Sequence, residues 1–199
     1  MDQARAVLDF WFGELPPTAA VLDERMRFWF GSEPDATIRA RFGELMRRAA
    51  EGELSAWADS PRRRLALILL LDQFPRSVHR VTALAFAQDE KALSLALSGM
   101  QVGADAALAP VERLFFYMPL QHAESRDVQD ESVAAFRRLA AEAPEELRDG
   151  FDVALRYAEL HRSLIERFGR FPHRNRVLGR ESTPEEVAYL GAGAESFGQ

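Results

Sequence analysis

The sequence predicts an all-α fold in a single domain spanning residues 1–199, and three observations support this prediction. Apolar residues recur at helical spacing along almost the whole chain, whereas no turn-bounded segment alternates convincingly with a period of two. Most candidate helices have recognisable start and stop signals. The loops between them are short, so we expect neighbouring helices to pack as antiparallel pairs in a multi-helix array.

The first three helices are delimited by glycine and by a capping residue. A helix through ARAVLDFWF ends at Gly13, and a second, around VLDERMRFWF, ends at Gly31. Asp35 caps a third helix through IRARFGELMRRAAEG. The motif FWFG occurs at 10–13 and again at 28–31, a spacing too short for a repeated helix pair. We therefore expect two aromatic helix ends packed in one core.

Prolines mark most of the remaining helix boundaries. Ser60 is a suitable N-cap before Pro61, and this helix should end near Phe74, because Pro75 disfavours helical geometry in the residue before it. Further helices are expected over 82–99, from Pro110 to Pro119, over 128–142, from Pro144 to about Phe168, and after the capping box Thr183–Glu186.

Composition limits the class of protein. Hydrophobic residues make up 47% and charged residues 28% of the 199-residue chain, as in an ordinary globular domain. The absence of cysteine excludes disulfides and thiol nucleophiles. A net charge of −6 argues against a nucleic-acid binder. No signal peptide is apparent, and the longest apolar run, LALILLL at 65–71, is far shorter than the ~20 residues of a spanning helix, so we expect a cytoplasmic protein without membrane contact.

Three predicted helix ends share one pattern, in which proline terminates an apolar helix and a histidine follows. The segments are QFPRSVHR (73–80), YMPLQHAE (117–124) and RFPHRNRV (170–177). They contain His79, His122 and His173, three of the four histidines. The last segment lies in a stretch, 167–180, with five arginines, although Lys91 is the only lysine in the chain and arginine is therefore common everywhere.

The fourth histidine lies inside a predicted helix. His161 shares a helix face with Tyr157, Leu164 and Phe168, so it follows the apolar stripe rather than the solvent side. A histidine in that position is usually a hydrogen-bonded core residue. It is also about two helical turns, roughly 10 Å, from the arginine-rich segment, and could line the interior of a pocket there.

Four sequence blocks resemble a bacterial family catalogued as domain of unknown function 924. The blocks are LDFWFG (8–13), LLDQFPR (70–76), FFYMPLQHAE (115–124) and HRSLIERFGRFPHRNRVLGRESTPEE (161–186). The resemblance runs nearly end to end. It implies an all-helical, tetratricopeptide-like fold with a concave face, and it implies no established activity.

The leading functional hypothesis is a pocket for a small anion or for an acidic or C-terminal peptide group, because guanidinium groups bind carboxylate and phosphate in a bidentate manner. The expected contacts are Arg76, His122, Arg170, His173, Arg174 and Arg180. Asp72, Gln73, Glu124 and Asn175 would orient them, and His161 would line the interior. The same arginines could instead be structural, bonding carbonyl groups at helix ends or pairing with acids.

Three alternatives remain. A hydrolase could use His122 or His173 with Asp72 or Glu124 as an acid–base pair, although no nucleophile elbow surrounds any serine. A helical scaffold could bind a partner protein in an apolar groove, with a purely structural polar cluster. Metal binding is disfavoured, because the histidine and acid spacing matches no known motif and the arginines repel cations. No cofactor is expected, since the chain has no glycine-rich phosphate loop.

Overall fold

The computed structural model describes residues 2–15 and 17–193, and all regular structure in that part of the chain is helical. It has ten α-helices there: α1 Gln3–Phe12, α2 Ala19–Phe30, α3 Asp35–Ala50, α4 Pro61–Leu71, α5 Gln73–Val78, α6 Asp89–Gln101, α7 Pro110–Gln121, α8 Arg126–Glu142, α9 Arg148–Phe168 and α10 Pro184–Gly191. Short 3₁₀ segments lie at Ser55–Asp59, Ala83–Ala85, Asp105–Ala107, Glu145–Leu147 and Pro172–Arg174. The predicted all-α class is confirmed.

Side-chain caps begin the first and the last of these helices. Oδ1 of Asp2 accepts a hydrogen bond from the amide of Ala4 at 3.1 Å at the start of α1. At α10, Oγ1 of Thr183 accepts from the amide of Glu186 at 3.2 Å, and Oε2 of Glu186 accepts from the amide of Thr183 at 2.7 Å. The predicted capping box is therefore confirmed, and α10 begins at a fixed point.

Two prolines do not end helices, and both predictions were wrong. The helix before Pro75 ends at Leu71, and Pro75 then lies in the first turn of α5, where a missing amide proton costs no helical hydrogen bond. Pro119 lies inside α7, which continues to Gln121. Every residue from Leu114 to Gln121 is buried, so packing of this helix end outweighs the local preference of proline.

The helix expected over 82–99 begins later than predicted, at Asp89. Residues Ala83–Ala85 form a 3₁₀ turn instead. This turn brings Phe86 and Asp89 towards α5, where both contact Arg76.

The aromatic ends of α1 and α2 pack together with α7, as the repeated FWFG motif predicts. The ring centroids of Trp11 and Trp29 are 6.4 Å apart, and Trp29 lies 4.6 Å from the ring of Phe115 in an edge-to-face contact. Nε1 of Trp29 donates to the carbonyl of Trp11 at 2.8 Å. This bond gives the buried indole its acceptor and fixes α2 against α1.

Helix α4 forms the centre of the core and packs against α1, α3, α6 and α7. All seven residues Leu65–Leu71 are buried, which explains why this part of α4 is apolar on every side. Helix α7 packs against α4, α8 packs against α7, and α9 packs against α8. Within the described residues, no helix combines the length and the hydropathy that crossing a bilayer would require. The single-domain organisation and the tetratricopeptide-like arrangement stay predictions.

Gly169 ends α9 and redirects the chain towards the core. It has φ of 72° in the left-handed region, which glycine adopts without steric cost, and its amide donates to the carbonyl of Ile165 at 2.9 Å. The next residues, Phe171, Pro172 and Arg174, are all buried. The arginine-rich segment is therefore partly inside the molecule rather than on its surface.

Candidate functional site

A cavity of about 420 Å³ lies where α2, α5, α7 and α9 meet the segment that follows α9. Its polar lining residues are Gln73, Arg76, Ser77, Arg80, Gln121, His122, Tyr157, His161, His173 and Arg174. Its apolar lining residues are Met26, Trp29, Phe30, Phe86, Leu114, Met118, Val153 and Ala154. Phe30 and Tyr157 are 53% and 44% exposed, so the cavity opens to solvent beside them.

Asp72 places a carboxylate in the interior, at the junction of α4 and α5. It follows the seven buried residues of α4 and is itself fully buried. Oδ1 accepts a hydrogen bond from Nδ1 of His122 at 2.7 Å and pairs with Nη1 of Arg76 at 3.0 Å. Oδ2 accepts from Nε2 of Gln73 at 2.6 Å. These donors replace the water that burial removes.

The protonation states of Asp72 and His122 follow from these contacts. Burial opposes ionisation of Asp72, but the charge of Arg76 and the hydrogen bonds it receives outweigh burial and hold its pKa well below the usual range. Burial, aided by the charge of Arg76, lowers the pKa of His122. His122 is therefore neutral, and its Nδ1 carries the proton because an ionised carboxylate can only accept. Nε2 is left as a hydrogen-bond acceptor.

Arg76 is compensated on two sides. Besides Asp72, it forms a bidentate pair with Asp89, in which both nitrogen–oxygen distances are 2.8 Å. Nη1 also donates to the carbonyl of Asp72 at 3.1 Å. Attraction to Asp72 and Asp89 outweighs the cost of burial and raises the pKa of Arg76. The charge of Arg76 is therefore compensated by two carboxylates at close range.

Arg174 is buried with much less compensation. Its guanidinium carbon lies 4.4 Å from the ring centre of Phe171 and 4.6 Å from that of Phe86. Nη1 donates to the carbonyl of His122 at 3.1 Å and reaches Asp89, already paired with Arg76, at 3.4 Å. Nε is buried and has no acceptor among the described residues. Burial and repulsion from Arg76 lower the pKa of Arg174 to about 10.

His161 and His173 also line the cavity as neutral groups. Burial lowers the pKa of each to about 3, and nearby positive charge contributes at His173. Nδ1 of His161 lies 2.7 Å from the carbonyl of Tyr157, which can only accept, so Nδ1 carries the proton. The ring centroids of His161 and His122 are 6.3 Å apart. The cavity thus has neutral imidazoles beside buried guanidinium groups.

Four of the predicted site residues lie outside the cavity lining, in a second polar group. We call Asp72, Arg76, Asp89, His122 and Arg174 the cavity cluster, and Glu124, Arg170, Asn175, Arg180 and Glu186 the C-terminal cluster.

In the C-terminal cluster, Glu186 is the main acceptor. Arg170 donates to both of its carboxylate oxygens, at 2.7 and 2.8 Å, and Nδ2 of Asn175 donates at 3.2 Å. The bond from Arg170, together with that from the Thr183 amide, lowers the pKa of Glu186 to about 2 despite some burial. These bonds attach α10 to the segment that follows α9.

Glu124 and Arg180 complete this cluster. Arg180 donates to both carboxylate oxygens of Glu124, at 2.6 and 3.0 Å, and Nε donates to Oδ1 of Asn175 at 2.9 Å. Oε1 of Glu124 also accepts from the amide of Phe171 at 2.8 Å. The C-terminal cluster therefore fixes Phe171, the ring that stacks on Arg174.

The structure brings most of the predicted site residues together. Gln73, Arg76, His122, His161, His173 and Arg174 line the cavity, and Asp72 lies directly behind His122. Arg170, Asn175, Arg180 and Glu124 do not line it. Their proposed roles in ligand binding or catalysis stay predictions, and the contacts they make in the structure hold the chain in place.

Several cavity residues were not identified from the sequence. Phe86 and Arg80 line the cavity from the segment between α5 and α6, and Asp89, the first residue of α6, pairs with Arg76. No spacing links these residues to the arginine-rich segment. The apolar wall from α2 carries no chemical motif. Tyr157 had a signal that could have indicated it, since it shares a helix face with His161. Ser77, Arg80 and Gln121 lie within the proline-containing segments 73–80 and 117–124.

We also searched for side chains that could together ligate a metal ion. Among residues 2–15 and 17–193, no group of three or more His, Asp or Glu side chains is arranged to hold a metal ion.

Comparisons with known proteins indicate a family. A family model described as "Bacterial protein of unknown function (DUF924)" matches residues 7–194. The solved structure of a protein of unknown function, ATU0120 from Agrobacterium tumefaciens, is similar, with 38% sequence identity and a TM-score of 0.80 over 96% of this chain and 97% of that one. A search of curated proteins found no match. The chain therefore belongs to the DUF924 family of bacterial proteins of unknown function.

Proposed function

We propose that the cavity binds a small molecule with an anionic head group and an apolar body, and that Arg174 is its anchor. The observation that carries this proposal is the state of the Arg174 guanidinium: it is buried, its Nε lacks an acceptor among the described residues, and its carboxylate partner Asp89 is shared with Arg76. An unsatisfied buried cation is unfavourable, and an anionic ligand would relieve that cost.

The charge distribution around the cavity supports an anion rather than a cation. Asp72 is already saturated by His122, Gln73 and Arg76, so it is not available to a ligand. The neighbouring histidines are neutral. Arg174 is the less directly compensated of the two guanidinium groups, because Asp89 lies 2.8 Å from both Nη atoms of Arg76 and 3.4 Å from Nη1 of Arg174. A guanidinium fork suits the two oxygens of a carboxylate or phosphate.

The apolar residues that line the cavity favour a ligand with an apolar body. Met26, Trp29 and Phe30 of α2 face it, and Leu114 and Met118 of α7 line it as well. A cavity of about 420 Å³ is within the usual range for organic ligands and is much larger than an inorganic ion requires. The ligand would place its apolar part against this wall and its head group against Arg174.

Calorimetric titration with phenylacetate and with phenylacetamide tests the proposal, because the two probes have nearly the same shape and differ in charge. We expect the wild-type protein to bind phenylacetate at least tenfold more tightly than the amide. Arg174→Gln should remove this preference. Arg170→Gln, which changes an arginine of the C-terminal cluster, should retain it. Equal binding of both probes to the wild-type protein would contradict the proposal.

The head group could also be the C-terminal carboxylate of a peptide, since the chemistry at Arg174 is the same. N-acetylphenylalanine carries a peptide bond beside its carboxylate and serves as the probe for this case. If it binds more tightly than phenylacetate in the same titration, the ligand is a peptide C-terminus. If it binds more weakly, the ligand is a free acid.

A second candidate is a hydrolase in which His122 is a general base. The 2.7 Å contact between Nδ1 of His122 and Oδ1 of Asp72 favours it, because an ionised carboxylate holds the imidazole with Nε2 ready to accept a proton. Hydrolysis of 4-nitrophenyl acetate and 4-nitrophenyl phosphate provides the assay. His122→Gln should lose turnover, whereas His79→Gln, outside the cavity lining, should not. Turnover that survives His122→Gln would contradict this candidate.

A further inference from the structure

We infer that the ligand of this cavity carries a hydroxyl group beside its anionic group, and that Nε2 of His122 accepts a hydrogen bond from that hydroxyl. The class is a 2-hydroxy carboxylate with an apolar substituent. This inference rests on the proposed function and specifies the chemistry of its ligand.

The hydrogen bond between His122 and Asp72 determines which ring nitrogen of His122 can accept. Nδ1 is 2.7 Å from a carboxylate oxygen of Asp72 that can only accept, so Nδ1 must donate. The opposite nitrogen, Nε2, belongs to a side chain that lines the cavity. A neutral imidazole held in this way accepts at Nε2. It therefore cannot bind an oxygen of the anionic group, which has no proton to give, and needs a donor from the ligand.

His122 and Arg174 are in direct contact. Nη1 of Arg174 donates to the main-chain carbonyl of His122 at 3.1 Å, so the guanidinium group is in direct contact with this residue. Both residues also line the same cavity, so a carboxylate at Arg174 and a donor at His122 can belong to one small ligand. We place that donor as a hydroxyl on the carbon next to the carboxylate.

The charges around the cavity favour a neutral donor on the ligand. Arg76 and Arg174 are both cavity residues, and their mutual repulsion is part of what lowers the pKa of Arg174. Both carboxylates nearby, Asp72 and Asp89, already accept hydrogen bonds from these guanidinium groups or from His122. An ammonium group would add a third positive charge without a free carboxylate. A neutral hydroxyl avoids this repulsion.

Mandelate and phenylacetate form a matched pair of probes, because mandelate is phenylacetate with a hydroxyl on the carbon beside the carboxylate. We expect calorimetry to show that one enantiomer of mandelate binds the wild-type protein about tenfold more tightly than phenylacetate. His122→Phe should reduce the two affinities to the same value. His122→Gln keeps an acceptor and should restore part of the difference, and His79→Phe is the control outside the cavity lining.

The outcomes separate this inference from the proposal it rests on. If neither acid binds the wild-type protein, the proposed function fails. If both acids bind but with equal affinity, the proposed function stands and the hydroxyl inference is overturned. Phenylglycine, which has an ammonium group in place of the hydroxyl, should bind more weakly than mandelate. Tighter binding of phenylglycine would also overturn the inference, because the donor would then be cationic.

Discussion

The cavity cluster and the C-terminal cluster contain the same kinds of residue, arginines beside acids, but their arginines are compensated differently. In the C-terminal cluster each of two arginines has a bidentate carboxylate to itself, Arg170 with Glu186 and Arg180 with Glu124. In the cavity cluster, Arg174 shares Asp89 with Arg76. The difference teaches that the number of arginines says little about function, whereas an incompletely paired arginine at a cavity indicates a binding site.

The largest effect is expected at the buried centre of the cavity cluster. Asp72→Ala leaves Arg76 with one carboxylate instead of two and removes the acceptor for Nδ1 of His122. Removing one partner of a buried ion pair costs about 3–5 kcal/mol, so chemical denaturation should show a loss of that order. Asp130→Asn, at an exposed position of α8, is the control and should be near neutral. A loss below about 1 kcal/mol for Asp72→Ala would mean that this cluster contributes little to stability.

Acid should destabilise the protein through the cavity histidines before it affects the C-terminal cluster. The pKa of His161 and that of His173 are lowered to about 3, whereas an unfolded histidine has a pKa of about 6.5. Between these values the unfolded chain binds protons that the folded protein does not, so stability falls as the pH decreases. Denaturation at pH 6.5 and 4.5 should differ by about 2 kcal/mol or more.

The histidine and glutamate contributions can be separated by substitution. His161→Gln should reduce the loss between pH 6.5 and 4.5. Glu186→Gln should leave that loss unchanged, because the pKa of Glu186 is about 2 when folded and about 4.3 when unfolded, so its contribution is lost only below about pH 4.5. An unchanged pH dependence in His161→Gln would show that other groups cause it.

A smaller effect on stability is expected in the C-terminal cluster. Glu186→Gln removes the charge that Arg170 pairs with and weakens the cap on the Thr183 amide. We expect a loss of about 1–2 kcal/mol, because glutamine keeps an oxygen that can accept hydrogen bonds although the charge is lost. Binding of phenylacetate should keep its wild-type dissociation constant. A weakened affinity would show that the two clusters are coupled through Phe171.

The helices could be predicted from the sequence more fully than the site. Local signals, such as the Thr183 capping box and Gly13 after the first helix, predicted several helix boundaries correctly. The predictions for Pro75 and Pro119 failed because burial of the surrounding residues, a tertiary effect, outweighed local preference.

The arginines of residues 167–180 illustrate why the site was only partly predictable. Arg170 and Arg174 are four positions apart and have the same chemistry. One pairs with Glu186, nearby in the sequence, and the other contacts Asp89, which is 85 positions away. Which arginine lacks a full partner depends on the packing of α5, α6 and the end of α9, and no spacing in the sequence contains that information.

The most direct test of the central claim compares Arg174→Gln with Arg170→Gln by chemical denaturation, each with and without phenylacetate. We predict opposite effects of the two substitutions on the stability of the free protein and on its stabilisation by phenylacetate. Arg170→Gln should lower the stability of the free protein and keep the stabilisation by phenylacetate, whereas Arg174→Gln should change the free protein less and lose that stabilisation. The account is contradicted if Arg174→Gln is still stabilised as much as the wild-type protein, or if Arg170→Gln loses the effect of phenylacetate.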